Sequence, residues 1–127
     1  MLRRMPRPRI LLVDDSDTVL LVVQAALAAD FDVETAHDGV TALERARQSP
    51  PDVVVTDSLM PGLDGFGLLE ALEHAPETQG IPVIILTSEE MPRGRGAGRV
   101  QPAAIITKSM DQSPLVLAIR AALTTRP

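Results

Sequence analysis

The chain alternates between short apolar runs and longer stretches whose apolar positions recur at helical spacing. Residues 10–13 are the first apolar run, which stops at Asp14-Asp15. Over residues 16–29, Val19, Val22, Val23, Ala26 and Leu27 recur at the three- and four-residue intervals of a helix face. Residues 32–36 give a weaker strand pattern, and 39–48 predict a second helix with Val40, Leu43 and Ala46 inward. Pro50-Pro51 breaks the chain before the buried-strand run of residues 53–56, which ends at Asp57. Met60-Pro61-Gly62 predicts a loop, and residues 66–72 a short helix with Gly67 inside it. Residues 82–86 and 103–107 are two further apolar strands, followed by Thr87 and Lys108. Ser113-Pro114 opens a last helix as an N-cap and a first-turn proline, with Val116, Ile119, Ala122 and Leu123 inward.

Strands that are apolar throughout, alternating with helices, predict an α/β fold: a doubly wound parallel sheet covered on both faces. Between the fourth and fifth strands a fourth helix is due over residues 91–102. That stretch holds Arg93-Gly94-Arg95-Gly96-Ala97-Gly98-Arg99 with Pro92 and Pro102 on either side. Each glycine costs a helix interior up to ~1 kcal/mol relative to alanine, so this helix is expected to be short or disordered.

Composition narrows the function. A length of 127 residues suits one domain. The chain has no Cys, which excludes disulfides, thiolate nucleophiles and zinc–thiolate sites, and two His, at 37 and 74, cannot build a multi-His metal centre. No apolar run exceeds five residues, far short of the ~18 of a membrane span, and no secretory signal is expected, so a cytoplasmic protein is. Four of the twelve basic residues precede Ile10 and all seventeen acids follow it, so residues 10–127 carry −9. Such a field repels nucleic acid and outweighs an RGG-like contact at residues 93–99. One of the twelve basic residues is a Lys, Lys108.

In an open parallel sheet, ligands bind beyond the carboxyl ends of the strands. Four of the five predicted strands end in a functional group: Asp14-Asp15, Asp57, Thr87 and Lys108. One such aspartate alone is an ordinary turn residue. Four ends on one edge are a candidate site. Three crowded carboxylates raise each other's pKa, and a hard divalent cation such as Mg²⁺, which takes carboxylate oxygens, relieves that repulsion. With Lys108 the pocket comes close to neutral and suits a phosphoryl group.

Over about Arg9 to Leu123 the chain resembles the receiver domain of two-component response regulators. The resemblance rests on Asp14-Asp15, on Asp57 followed by Met60-Pro61-Gly62-Leu63-Asp64-Gly65, on Thr87-Ser88 and on Lys108, in order. It implies a flavodoxin-like (αβ)5 fold, strand order 2-1-3-4-5. It also implies that Asp57 is the phosphoacceptor, fed by a histidine kinase or histidine phosphotransfer protein. Asp15, Asp57 and the backbone carbonyl of Leu59 would bind Mg²⁺ directly, and Asp14 through water. Lys108 would pair with Asp57 and then with the phosphoryl oxygens, and Thr87 would move in to hydrogen-bond them. The chain departs from the family pattern at Ser109, where Pro usually follows the Lys, and at Ile105, where an aromatic usually stands. Leu59 and Glu89 are expected to tune phosphoryl lifetime, and Thr18, Leu21 and Ala25 to dock the donor's helical bundle.

The expectation is a stand-alone receiver over residues 9–124 behind a basic Pro-rich tail (1–8), with no output domain. It would signal through an unidentified downstream protein, with no nucleic-acid or membrane partner. Its chemistry would be confined to its own phosphorylation and dephosphorylation. The alternatives are a degenerate receiver that binds partners without phosphorylation, and, last, a haloacid-dehalogenase-type phosphohydrolase. The latter needs a second carboxylate two residues after the nucleophile, where Leu59 stands.

Overall fold

Strand residues that are uniformly apolar in sequence divide between two cores, because successive side chains point to opposite faces of a sheet. In the computed structural model, which describes residues 6–88 and 100–125, Leu11, Val13, Val54, Val83 and Ile85 line one face. Ile10, Leu12, Val53, Val55, Ile84 and Leu86 line the other. The strands are β1 (Arg9–Val13), β2 (Asp32–Ala36), β3 (Val53–Asp57), β4 (Val83–Thr87) and β5 (Ala104–Thr107). They form one sheet in the order β2-β1-β3-β4-β5, every neighbouring pair parallel.

Four helices are described: α1 (Asp17–Leu27), α2 (Gly39–Gln48), α3 (Gly65–His74) and α4 (Ser113–Thr125). α2 and α3 cover the first face, and α1 and α4 the second, which is the doubly wound arrangement the apolar strands require. The helix expected over 91–102 falls largely on residues 91–99, outside the described residues. No helix among the described residues is long and apolar enough to cross a membrane.

Several elements differ in detail from the sequence expectation. α1 buries Leu20, Val23 and Leu27, while Val22 and Ala26, expected inward, are exposed. The helix is apolar on nearly every side, so spacing alone does not select its inner face. α2 turns Val40 outward and packs Ala42 in its place, while Leu43 and Ala46 face inward as expected. α3 is longer than predicted at both ends, starting at Gly65 under an Asp64 N-cap that accepts the Gly67 N–H at 2.8 Å. α4 begins at Ser113 itself: the Gln112 carbonyl accepts the Val116 N–H, and Asp111 takes the Ser113 N–H.

Candidate functional site

A parallel sheet delivers every strand's carboxyl end to one edge, and each of the predicted strand-end groups stands there. After β1, the Asp14 N–H donates to the Ala36 carbonyl of β2 at 3.1 Å. Asp14 Oδ1 accepts the Ser16 N–H at 2.9 Å, and Ser16 in turn caps α1 by accepting the Val19 N–H. This turn fixes Asp14 in the interior and leaves Asp15 exposed. Asp57 closes β3 opposite Leu86 of β4 and is 8% exposed. The loop beyond it buries Met60, turns at Gly62 with φ +77°, and returns as α3, whose Gly65 N–H donates to the Ser58 carbonyl at 3.1 Å. A β-carbon on Gly65 would collide with the Asp57 carbonyl, so only glycine lets α3 start this close to the end of β3.

Carboxylate oxygens of Asp14, Asp15 and Asp57 lie within 4.8 Å of one another. Lys108 Nζ bridges two of them, 3.0 Å from Asp14 Oδ2 and 3.2 Å from Asp57 Oδ1. Asp14 Oδ2 is buried and, among the described residues, meets only the Lys108 ammonium, so three carboxylates share one cationic group. Three carboxylates facing one ammonium fit a divalent cation, because the donor set is all oxygen and its negative charge exceeds what Lys108 balances.

The electrostatics follow from burial and proximity. Burial pushes Asp57 above the ordinary carboxylate range, and the Asp14 charge adds to it. Lys108 and the Leu59 N–H pull the other way without prevailing. Burial alone would lower Lys108, but Asp14 and then the Asp57 charge outweigh it and hold the ammonium above its usual value. Lys108 is therefore a fixed cation across the physiological range.

Thr87 ends β4 fully buried; its carbonyl accepts the Lys108 N–H at 2.6 Å. Its hydroxyl oxygen accepts from Ser58 Oγ at 3.0 Å. Sequence reasoning passed over Ser58. The available signal was register: if Asp57 and Leu86 are paired, the residues that follow them, Ser58 and Thr87, are neighbours. It also missed the second Lys108 contact, to Asp14. No peptide bond among the described residues is cis, so the chain after Lys108 runs trans into Ser109. Leu59 is 55% exposed at the rim, and Glu89 lies outside the described residues.

A family profile described as the response regulator receiver domain matches residues 10–120, and the chain belongs to that family, a component of two-component signalling. Protein PilH of Pseudomonas aeruginosa PAO1 is 39% identical over 117 residues, covering 91% of this chain and 97% of PilH. Response regulator PleD of Caulobacter vibrioides is 37% identical over 118 residues. That match covers 88% of this chain but 25% of PleD, so the chain spans a quarter of that relative's length. The receiver domain of sensor histidine kinase PA1611 from P. aeruginosa, solved with a magnesium ion coordinated in its active-site cleft, shares the fold. Its TM-score is 0.84 at 21% identity, over 93% of this chain and 98% of that one. Phosphoryl acceptance is generic to the family, as are an acidic Mg²⁺ site and interaction with histidine kinases or phosphotransfer proteins.

Proposed function

We propose that Asp57 accepts a phosphoryl group from a phosphohistidine donor and that the phosphorylated receiver, residues 9–124, signals by protein–protein association. The family match over residues 10–120 supports those bounds, with residues 1–8 as a basic tail. The observation that carries the chemistry is the convergence of Asp14, Asp15 and Asp57 with a single ammonium bridging two of them. In the transfer, a carboxylate oxygen of Asp57 forms a bond to phosphorus while the donor's N–P bond breaks, its electron pair leaving with the imidazole. The protein supplies position and charge rather than covalent work. Lys108, 3.2 Å from Asp57, holds the acceptor ionised and in place and meets the negative oxygens as they arrive. Asp14, Asp15, Asp57 and the Leu59 carbonyl are the proposed Mg²⁺ ligands, Asp14 through water. Bound there, the cation supplies the remaining neutralisation of the acids and of the phosphoryl oxygens. Thr87 is the proposed group that registers the new charge by moving its hydroxyl to it.

On α1, Thr18, Leu21 and Ala25 are exposed in one stripe that starts beside the pocket. A largely apolar, exposed stripe at this place suits the helical bundle of the donor, and we assign it that partner. The test is intact-mass measurement after acetyl phosphate and MgCl₂. Phosphate mass is expected on the wild type and absent from Asp57→Asn. A wild type that never gains phosphate, from acetyl phosphate or from phosphoramidate, points to the phosphorylation-independent binding module instead.

A further inference from the structure

We propose that Ser58 is a positioning residue. Its hydroxyl holds the hydroxyl of Thr87 in the resting protein and competes for it with a phosphoryl group on Asp57. The inference rests on the reading of Asp57 and Thr87 given above and extends it to a residue that reading leaves idle.

Ser58 Oγ donates to Thr87 Oγ1 at 3.0 Å, and Thr87 is its partner among the described residues. Ser58 is 3% exposed and Thr87 is fully buried, so neither hydroxyl can exchange this bond for one to bulk water. The Ser58 backbone is fixed on both sides. Its N–H donates to the Leu86 carbonyl of β4 at 3.3 Å, and its carbonyl accepts the Gly65 N–H of α3 at 3.1 Å. Gly65 packs where a β-carbon would crowd the Ser58 Cα, which leaves side-chain rotation as the freedom Ser58 keeps. Thr87 is tied onward through its carbonyl to the Lys108 N–H, at 2.6 Å. The bonds therefore run from the residue after the acceptor, through Thr87, to the residue that bridges Asp14 and Asp57. Any displacement of the Thr87 hydroxyl toward Asp57 is made against Ser58. Because the bond exists in the resting state and is given up in the phosphorylated one, its removal favours the phosphorylated state. A typical net hydrogen bond shifts such an equilibrium about fivefold.

The experiment uses the full chain with acetyl phosphate and MgCl₂, following phosphate mass by intact-mass spectrometry after the donor is removed. Ser58→Ala is expected to retain phosphate about fivefold longer than wild type. Its Mg²⁺ affinity, measured by calorimetry, should be unchanged. Placed in a Thr87→Ala background, the same substitution should have no effect, because the group it restrains is gone. Ser58→Cys, which keeps the side-chain connectivity with a weaker, slightly larger donor, gives the same direction should the alanine variant not fold. An unchanged or shortened lifetime in Ser58→Ala, or an equal effect with and without Thr87, overturns the inference alone. A wild type that takes no phosphate overturns the phosphoacceptor reading first and the role of Ser58 with it.

Discussion

Asp57 is held where two neighbours disagree about its proton. Burial and the Asp14 carboxylate favour the neutral acid, and Lys108 favours the anion; the neutral form gains on balance. The folded protein therefore binds this proton more tightly than the unfolded chain. Its stabilising effect is full below the ordinary carboxylate pKa of ~3.9 and is lost as pH rises through the higher folded value. At neutral pH, Asp57 is thus a charge the fold carries at a cost. Asp57→Asn removes the charge and keeps the shape, so in chelator-treated buffer it should melt above wild type near pH 7. A gain of ~1 kcal/mol, or about 4 °C, is expected for a domain of this size. The gap should shrink as pH falls through the raised folded value, because wild-type Asp57 then takes up its proton as well. Thermal melts across that range check both points, and a gap that ignores pH would contradict the account. Lys108→Ala tests the opposite sign. It leaves Asp14 and Asp57 facing each other without their cation, and should destabilise by about 1–2 kcal/mol after allowance for the lysine's partial exposure. Adding Asp57→Asn should recover part of that loss.

At the scale of elements, the start of α3 sets the pocket's floor. Gly65 opens that helix against the Asp57 carbonyl, so Gly65→Ala must push either the helix or β3 aside. A loss of about 2 kcal/mol, measured by denaturant unfolding, is expected, together with slower phosphorylation by acetyl phosphate. Little of this was legible in the sequence, since the reason for Gly65 lies in a carbonyl eight positions earlier rather than in any local pattern. The strand ends were legible for the converse reason. An apolar run that stops at Asp14, Asp57, Thr87 or Lys108 leaves the polar residue nowhere but the sheet's edge, and all four stand there. The sheet order came from the resemblance and agrees with the pairing observed. α1 shows where periodicity fails: with Leu20, Leu21, Val22 and Val23 in a row, the inner face is chosen by packing against β-strand side chains, not by spacing. What the helix leaves outside is testable. Leu21 is 70% exposed, and Leu21→Arg should slow phosphotransfer from a histidine donor while leaving acetyl phosphate labelling intact. Equal loss of both would count against α1 as the docking stripe.

Across the whole molecule, the parallel sheet gathers charge that the sequence spreads over a hundred residues. Asp14, Asp15 and Asp57 meet one ammonium, so the pocket keeps two negative charges, in a chain whose formal charge is already −5. One divalent cation balances that excess with the carboxylate oxygens it prefers. The unfolded chain has no such cluster, because Asp57 lies far in sequence from the adjacent Asp14 and Asp15, and it should bind Mg²⁺ much more weakly. Linkage then requires the cation to stabilise the fold, by ~1.4 kcal/mol at tenfold its dissociation constant and ~2.7 kcal/mol at a hundredfold. Titrating MgCl₂ at pH about 7 should raise Tm in proportion to the logarithm of its concentration once the site is filled. NaCl at matched ionic strength should not reproduce the rise, since screening acts weakly on the buried Asp14 and Asp57. Asp15→Asn and Asp57→Asn should each flatten the slope. Asp57→Asn should do so from a higher starting Tm, because it has already relieved the repulsion that the cation relieves in wild type. A wild-type Tm indifferent to Mg²⁺ would mean that Lys108 alone satisfies the acids, and that the three carboxylates mark no cation site.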